Sequence, residues 1–349
     1  MDVKRCTAAL VITACMAAPV VPAAASDAGP HYDFDRRQLE SILDDLKAWL
    51  PGAWDSFPQI YYERTVRMPD EGEHEHWHRT FALIDAPQVG ETVFYGQINM
   101  GGRSGPILGR SQVLYKAVLD EARGVVSITG QPIPEPDRFQ NLHERPELWP
   151  EVRMRDESAV HCDFIWRRDG RQLFGVLEGR KSEWNKYGPG TCNYISRSGQ
   201  EFYADAEWVL TPEELWLYDL NTIAGAQFIG RQDRTHIRLY RTLPYNCEIV
   251  TDAGGQTMTV AGHDRGFAAG VSANDAGERE MFLLRAYYPP ASGPGLVDEL
   301  RLMIRQPGGG EIYAQSAAEP RADYIVVESG EISASCRRAA AFPPMEIRD

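Results

Sequence analysis

Short runs in which apolar and polar residues alternate fill most of the chain between residues 60 and 241, and they predict β-strands. They lie at residues 60–67, 77–84, 92–99, 112–119, 125–129, 160–166, 173–177, 192–196, 201–210, 215–220 and 235–240. Turn signals such as Asp169-Gly170 separate many of them, and no amphipathic helical pattern intervenes. Parallel strands need helical crossovers, so the pattern favours an antiparallel barrel of about ten strands whose lumen can hold a ligand.

One helix is expected before the strands, from Asp35 to Leu50, and Pro51-Gly52 ends it. Its apolar residues recur at helical spacing and share one face: Leu39, Ile42, Leu43, Leu46, Trp49 and Leu50. Such a face must cover other apolar groups. We therefore expect the helix to close an end or a flank of the barrel.

The composition changes after Cys247, where strands are expected at residues 281–288, 299–305 and 324–328 among Gly- and Ala-rich turns. This pattern predicts a smaller β domain at residues 248–349, following the barrel domain at residues 26–247. Prolines between residues 131 and 150 predict a surface excursion with a short helical turn. The predicted fold class is thus mostly β: a barrel with an N-terminal helix and a smaller C-terminal β domain.

The N-terminus has the layout of a secretory signal peptide. Lys4 and Arg5 precede an apolar run at residues 8–21, and small residues follow up to Ala25. We expect residues 1–25 to be removed and the protein to be periplasmic or secreted. A weak membrane anchor and lipid attachment at Cys15 are the alternatives. No later run is long and apolar enough to span a membrane.

Four cysteines remain after that segment is removed, an even number in an exported chain. Four cysteines permit three pairings. We expect the local one, which joins Cys162 to Cys192 and Cys247 to Cys336.

The formal net charge of -14 disfavours nucleic acid and anionic membranes as partners, since both need clustered Lys and Arg. His74, His76 and His78 alternate, as metal ligands on one strand face could. Four acidic residues between positions 70 and 75 instead indicate a solvated polar loop. We therefore predict no metal site.

Three acidic residues have both a functional and an ordinary interpretation. Asp205 and Glu207 share one face of a strand; they could hold a polar ligand if that face lines the lumen, or be ordinary alternation if it meets water. Asp219 follows an apolar run and is either paired structurally or poised for proton transfer. We expect the rings of Trp166 and Phe174 to belong to the hydrophobic core rather than to a surface on which a ligand stacks.

Several motifs occur in the order found in the CpcT/CpeT-type chromophore lyases, and residues 39–247 resemble that family. They are Leu46 to Gln59, Arg110 to Tyr115, Cys162 with Trp166, Phe174-Gly175, Cys192, Phe202 to Glu207, Tyr218-Asp219, Gly225 and Phe228 to Gly230. The chain departs from the family at Gly109, where a tyrosine is usual, and in its roughly hundred additional C-terminal residues.

The resemblance implies a calycin-like barrel, often a homodimer, that binds a linear tetrapyrrole and transfers it to a cysteine of an acceptor protein as a thioether. Asp219 would hydrogen-bond pyrrole N–H groups and assist proton transfer, and arginines would pair with propionates. The candidate ligand-binding residues are Gln59, Arg110, Tyr115, Trp166, Asp205 and Glu207. The ligand expected from the resemblance is a bilin-like tetrapyrrole or a similar amphipathic molecule, and no cofactor is expected.

Two other functions fit the sequence. The export signal and a Cys162–Cys192 pairing, which removes the reactive thiolate, favour a non-catalytic carrier. The C-terminal domain would also suit an interaction protein that docks a partner.

Overall fold

The computed structural model describes residues 36–69, 72–109, 111–155, 162–180, 192–195, 199–231, 233–251, 256–273, 277–290, 292–330 and 332–345. The expected signal peptide and the candidate residue Arg110 lie outside these ranges. Residues 34–349 belong to one compact unit. None of the helices in the described ranges is long and apolar enough to cross a membrane.

Ten antiparallel strands form a closed barrel. They are β1 Gly52–Asp55, β2 Trp77–Ile84, β3 Thr92–Met100, β4 Val113–Asp120, β5 Val125–Pro132, β6 Cys162–Asp169, β7 Gln172–Gly179, β9 Glu201–Leu210, β10 Glu214–Ile223 and β12 Ile237–Arg241. Strand β10 pairs with both β9 and β12, which closes the ring. Two short strands, β8 Cys192–Ile195 and β11 Ala226–Ile229, extend it beside β9 and β10.

The helix α1, Arg36–Trp49, fills one end of this barrel. Ile42, Leu43 and Leu46 belong to the same buried cluster as inward-facing barrel residues such as Leu210 and Leu239. Burial of this apolar stripe is the main source of the helix's stability, since isolated helices of this length are marginal in water. The predicted role of the helix is confirmed.

Aromatic rings fill the waist of the barrel. Trp208 lies at the centre, with ring centroids 6.0 Å from Phe81, 5.9 Å from Tyr115 and 6.1 Å from Trp166. Gly175 makes room for this packing, because a Cβ atom added there would lie 2.7 Å from the Trp166 ring. The lumen is therefore divided into the end filled by α1 and an opposite end, which we call the barrel mouth.

The C-terminal part is a sandwich of two four-stranded antiparallel sheets. One contains β13 Pro244–Thr251, β14 Gln256–His263, β19 Tyr324–Glu328 and β20 Ile332–Arg338; the other contains β15 Arg265–Ala273, β16 Gly277–Tyr288, β17 Val297–Arg305 and β18 Ile312–Ala318. Their facing side chains form one buried cluster, in which Ile249 and Ile325 of the first sheet meet Leu283 and Leu302 of the second. The predicted fold class is confirmed. The proposed boundary after residue 247 stays a prediction, and Cys247 lies within β13.

Both disulfides have the pairing that the sequence predicted. Cys162 is joined to Cys192 with their Cα atoms 5.6 Å apart, and Cys247 is joined to Cys336 with their Cα atoms 4.0 Å apart. The second pair lies directly opposite across β13 and β20. One bridge therefore ties a barrel strand to β8, and the other ties the last strand of the sandwich to its first.

One predicted strand is wrong. Residues 60–67 fall largely in a second helix, α2, which spans Phe57–Thr65. Pro58 stands in its first turn, where a missing N–H has no helical partner to lose. The buried side chains Ile60 and Glu63 follow at helical spacing, and the β-branched and aromatic residues between them had suggested a strand.

The proline-rich stretch after β5 forms 3-10 turns at Leu142–Glu144 and Pro146–Glu151. Phe139 and Leu142 are buried there against the outer face of the barrel. The excursion with a short helical turn is present, and it packs on the barrel through these residues.

Candidate functional site

A buried arginine lies inside the barrel, against the aromatic rings of the waist. Arg79 points inward from β2 and is only 6% exposed. Its guanidinium carbon lies 4.5 Å from the centre of the Phe81 ring and 4.4 Å from that of Trp208, and Nη2 donates a hydrogen bond to the Tyr115 hydroxyl oxygen at 2.7 Å. These contacts hold the cation in place by cation–π attraction and one hydrogen bond.

The charge of Arg79 has no close counter-ion in the described ranges, since no carboxylate there lies within 4.0 Å of it. Its Nε is also buried and has no hydrogen-bond partner among the described residues. Buried donors are nearly always paired in proteins. An unpaired donor on a buried cation indicates a position that a ligand oxygen can fill.

Asp219 lies on the adjoining wall of the mouth, pointing inward from β10. Burial raises the pKa of its carboxyl to about 6, while a hydrogen bond from Asn221 and the charge of Arg79 act in the opposite direction. Asp205 contributes a further raising effect. The carboxyl can therefore accept or release a proton near neutral pH.

The mouth contains a cavity of about 230 Å³. It is lined by Glu73, Glu75, Trp77, Leu217, Tyr218, Asp219, Gly230, Arg231, Thr235 and Ile237. Ligand pockets commonly measure about 300–1,000 Å³, so this cavity suits one end of an elongated ligand.

Asp205 and Glu207 do not face this cavity. They alternate along β9 with Ala204, Ala206 and Trp208, whose side chains point inward and are buried. On the outer face, Asp205 accepts a hydrogen bond from Arg234 at 3.1 Å, and Glu207 lies 3.9 Å from the His236 ring nitrogen. The interpretation that placed this pair in the lumen is wrong, and ordinary strand alternation explains them.

Gln59 and Trp166 are occupied by the protein itself. The Gln59 amide donates to the His236 carbonyl oxygen at 3.2 Å and accepts from the Arg238 N–H at 2.7 Å, which fixes α2 to β12. Trp166 is 1% exposed within the waist, as the core interpretation expected. Tyr115 does not line the mouth cavity; it is buried and accepts the hydrogen bond from Arg79.

A second cluster lies where the barrel meets the sandwich. Asp55, at the end of β1, accepts hydrogen bonds at Oδ1 from the His76 ring and the Phe57 N–H, both at 2.8 Å. Its Oδ2 lies 2.9 Å from Nδ1 of His78 and 3.7 Å from Nε2 of His263. Asp55 and His78 are fully buried.

The charges of this cluster follow from its burial. Burial opposes ionisation of Asp55, but hydrogen bonds from His76 and His78 outweigh it and hold the pKa of that carboxyl well below its usual range. Burial also lowers the pKa of His78, and it lowers that of His263 to about 3 despite the attraction of Asp55. A carboxylate thus faces two neutral imidazoles at neutral pH.

The predicted solvated loop at His74, His76 and His78 is wrong. His74 is buried and pairs with Glu63, 2.6 Å away, and His78 is buried beside Asp55. The alternating histidines were a usable signal for the second cluster. His263 was not, because only the docking of β14 brings it to Asp55.

No family model matches the chain, and no curated protein matches it. Among solved structures, the chain is similar to the CRL protein of Arabidopsis, with 12% sequence identity, coverage of 58% of this chain and 97% of that chain, and a TM-score of 0.43. A likeness of this degree implies no shared ligand or activity. Membership of the chromophore lyase family therefore stays a prediction.

Proposed function

We propose that this protein is an exported ligand-binding barrel of the CpcT/CpeT type, whose mouth takes one end of a linear tetrapyrrole. The proposal is carried by two groups inside the barrel: an unpaired buried donor, Nε of Arg79, and the Asp219 carboxyl, which lines the mouth cavity and whose pKa the charge of Arg79 lowers.

The end of a linear tetrapyrrole matches these two groups. Its terminal ring is a lactam, which carries a carbonyl oxygen and an N–H on adjacent atoms. The carbonyl oxygen would accept from Arg79, and the N–H would donate to Asp219. Hydrogen bonds to charged groups contribute about 1.5–3 kcal/mol each, and satisfying the unpaired Arg79 donor removes the penalty of burying it.

The rim offers a further contact for the part of the ligand outside the cavity. Arg231 lines the cavity and already pairs with Asp233 at 2.5 Å, so it can share its guanidinium with a propionate carboxylate. Trp77, also at the rim, provides a flat apolar surface.

Non-catalytic binding is the better supported form of this function. Cys162 and Cys192, the two cysteines of the barrel, are joined in a disulfide and present no thiolate. Asp219 could still pass the thiol proton of an acceptor's cysteine to the bilin as the sulfur adds to a bilin carbon–carbon double bond, so thioether formation is the alternative outcome of the test.

The test is a titration of the purified protein with biliverdin, followed by bilin absorbance and by quenching of tryptophan fluorescence. We expect saturable binding of one biliverdin per chain. Addition of a cysteine-containing acceptor peptide then separates the two forms: bilin that stays non-covalent supports a carrier, and a covalent peptide adduct supports a lyase. A folded protein that does not bind biliverdin would exclude a linear tetrapyrrole as the ligand.

A further inference from the structure

The cluster at the junction of barrel and sandwich brings metal-ligating atoms together from distant parts of the chain. Asp55, His78 and His263 each offer one such atom, and the three atoms lie within 4.8 Å of one another. Asp55 and His78 belong to the barrel, and His263 ends β14 of the sandwich. All three side chains are buried.

Two ring nitrogens of this cluster lack hydrogen-bond partners in the described part of the chain. Nε2 of His78 is buried and unpaired. Nε2 of His263 lies 3.7 Å from Oδ2 of Asp55, which is beyond hydrogen-bonding distance. The protein therefore leaves Nε2 of His263 available to an ion, whereas His78 would bind through Nδ1, the ring nitrogen beside Asp55.

We propose that Asp55, His78 and His263 bind a divalent transition-metal ion of the zinc type. Imidazole and carboxylate ligands bind Zn²⁺ at about 2.0–2.2 Å, so the ligand atoms around a tetrahedral ion are about 3.3–3.5 Å apart. The Asp55 Oδ2 distances, 2.9 Å to Nδ1 of His78 and 3.7 Å to Nε2 of His263, lie on either side of that value. The three ligand atoms already lie within 4.8 Å of one another, and the side chains would have to adjust to reach one ion.

The surroundings of Asp55 suit a metal ligand. His76 and the Phe57 N–H both donate to Oδ1, which orients the carboxylate and leaves Oδ2 for the ion. Metal binding also costs two hydrogen bonds. His78 gives up its hydrogen bond to Asp55, and His263 gives up the 3.2 Å hydrogen bond that its Nδ1 accepts from the Arg265 N–H.

The site opens toward a cavity of about 580 Å³ between the barrel and the sandwich. His76 and His263 line this cavity together with apolar rings, including Phe57 and Phe282. Three protein ligands leave a fourth position on a tetrahedral ion, as in catalytic zinc sites. That position would take water or an anionic group of a small molecule from the cavity.

The test is metal binding by the purified protein after treatment with a chelator. We expect isothermal titration with zinc chloride to give one ion per chain at micromolar affinity or tighter. His263→Gln should weaken this binding about 100-fold or more, whereas His236→Gln, a histidine on the outer face of the barrel, should leave it unchanged. Circular dichroism of each variant in chelator checks that it folds.

X-ray absorption of the wild-type zinc complex decides the matter without any variant. The proposal predicts nitrogen and oxygen ligands with scattering from two imidazole rings. Absence of stoichiometric zinc binding in the folded wild type would overturn it and leave the cluster as a hydrogen-bonded structural group. Full retention of binding by folded His263→Gln would do the same.

Discussion

Arg79 donates a 2.7 Å hydrogen bond to the hydroxyl oxygen of Tyr115 inside the barrel. This bond uses one of the five guanidinium N–H groups, and the buried Nε has no hydrogen-bond partner among the described residues. Burial of Arg79 between the rings of Phe81 and Trp208 would be unfavourable if stability were the only requirement on this position. The buried and incompletely paired cation is therefore the feature that supports the proposal of a ligand inside the barrel.

Asp219 should make stability depend on pH. Its folded-state pKa of about 6 exceeds the ordinary value of 3.8, so the folded protein binds this proton more tightly than the unfolded chain. This tighter proton binding stabilises the folded state fully below about pH 4, and the stabilisation is lost as the pH rises through about 6. The substituted side chain in Asp219→Asn stays neutral and avoids this loss. As the pH rises from 4.5 to 7, the free energy of unfolding of wild type should therefore fall by about 1–3 kcal/mol more than that of Asp219→Asn.

Urea unfolding at several pH values measures this difference. Asp264 also has a pKa raised to about 6 by burial, but it is present in both proteins and cancels in the comparison. Parallel pH profiles for wild type and variant would mean that the Asp219 carboxyl is not destabilised by burial.

Gln59 should prove structural although the sequence made it a ligand candidate. Gln59→Leu removes the hydrogen bonds that join α2 to the backbone of His236 and Arg238, and it leaves those groups unpaired. We expect a loss of about 1–3 kcal/mol in the free energy of unfolding. Biliverdin affinity measured on the folded variant should stay within about twofold, and a large loss of affinity would return Gln59 to the ligand site.

Substitution of Gly175 by alanine should destabilise the barrel. In Gly175→Ala the new Cβ would lie 2.7 Å from the Trp166 ring, which itself packs edge-on against Trp208. We expect a loss of about 1–3 kcal/mol in thermal or urea unfolding. Gly270→Ala is the matched control, since no atom lies within 4 Å of an added Cβ in that strand. Equal stability of the two variants would contradict the description of the waist.

The two disulfides should contribute unequally. Removing the Cys247–Cys336 bridge by double alanine substitution frees a loop of 89 residues, against 30 for Cys162–Cys192. Loop-closure entropy then predicts that the free energy of unfolding falls by about 4–5 kcal/mol without the Cys247–Cys336 bridge and by about 3–4 kcal/mol without the Cys162–Cys192 bridge. Urea unfolding of both double variants tests the order, and peptide mapping of the wild type tests the pairing. A greater loss for the shorter loop would mean that local packing outweighs chain entropy.

Most of the fold could be predicted from local sequence patterns. Alternation placed β2, β9 and β19 with the bounds that the structure has, and helical spacing placed α1, because each of these elements buries one regular face. Strands that are rich in small or polar residues show a weaker alternation of apolar and polar positions. Neither β14 nor β18 was predicted, since Gly, Ala, Ser and Thr dominate them.

The sites were less predictable than the strands. Asp219 was a candidate from the sequence and lines the mouth cavity, whereas Arg79 was not among the predicted site residues. Asp205 and Glu207 depended on which face of β9 points inward, and alternation alone does not decide that. The joining of Asp55 to His263 depends on the docking of two parts of the chain, which no local pattern contains.

The most direct measurement of the central claim compares biliverdin affinity in two isosteric variants on neighbouring strands. Asp219→Asn removes the charge of an inward-facing carboxyl in the mouth, and Asp205→Asn removes one on the outer face. We predict that Asp219→Asn weakens binding at neutral pH by about 1.5–3 kcal/mol, which is roughly tenfold or more, and that Asp205→Asn changes it by less than about twofold. Equal affinity of folded Asp219→Asn and wild type would contradict the proposed site, as would a greater loss in Asp205→Asn.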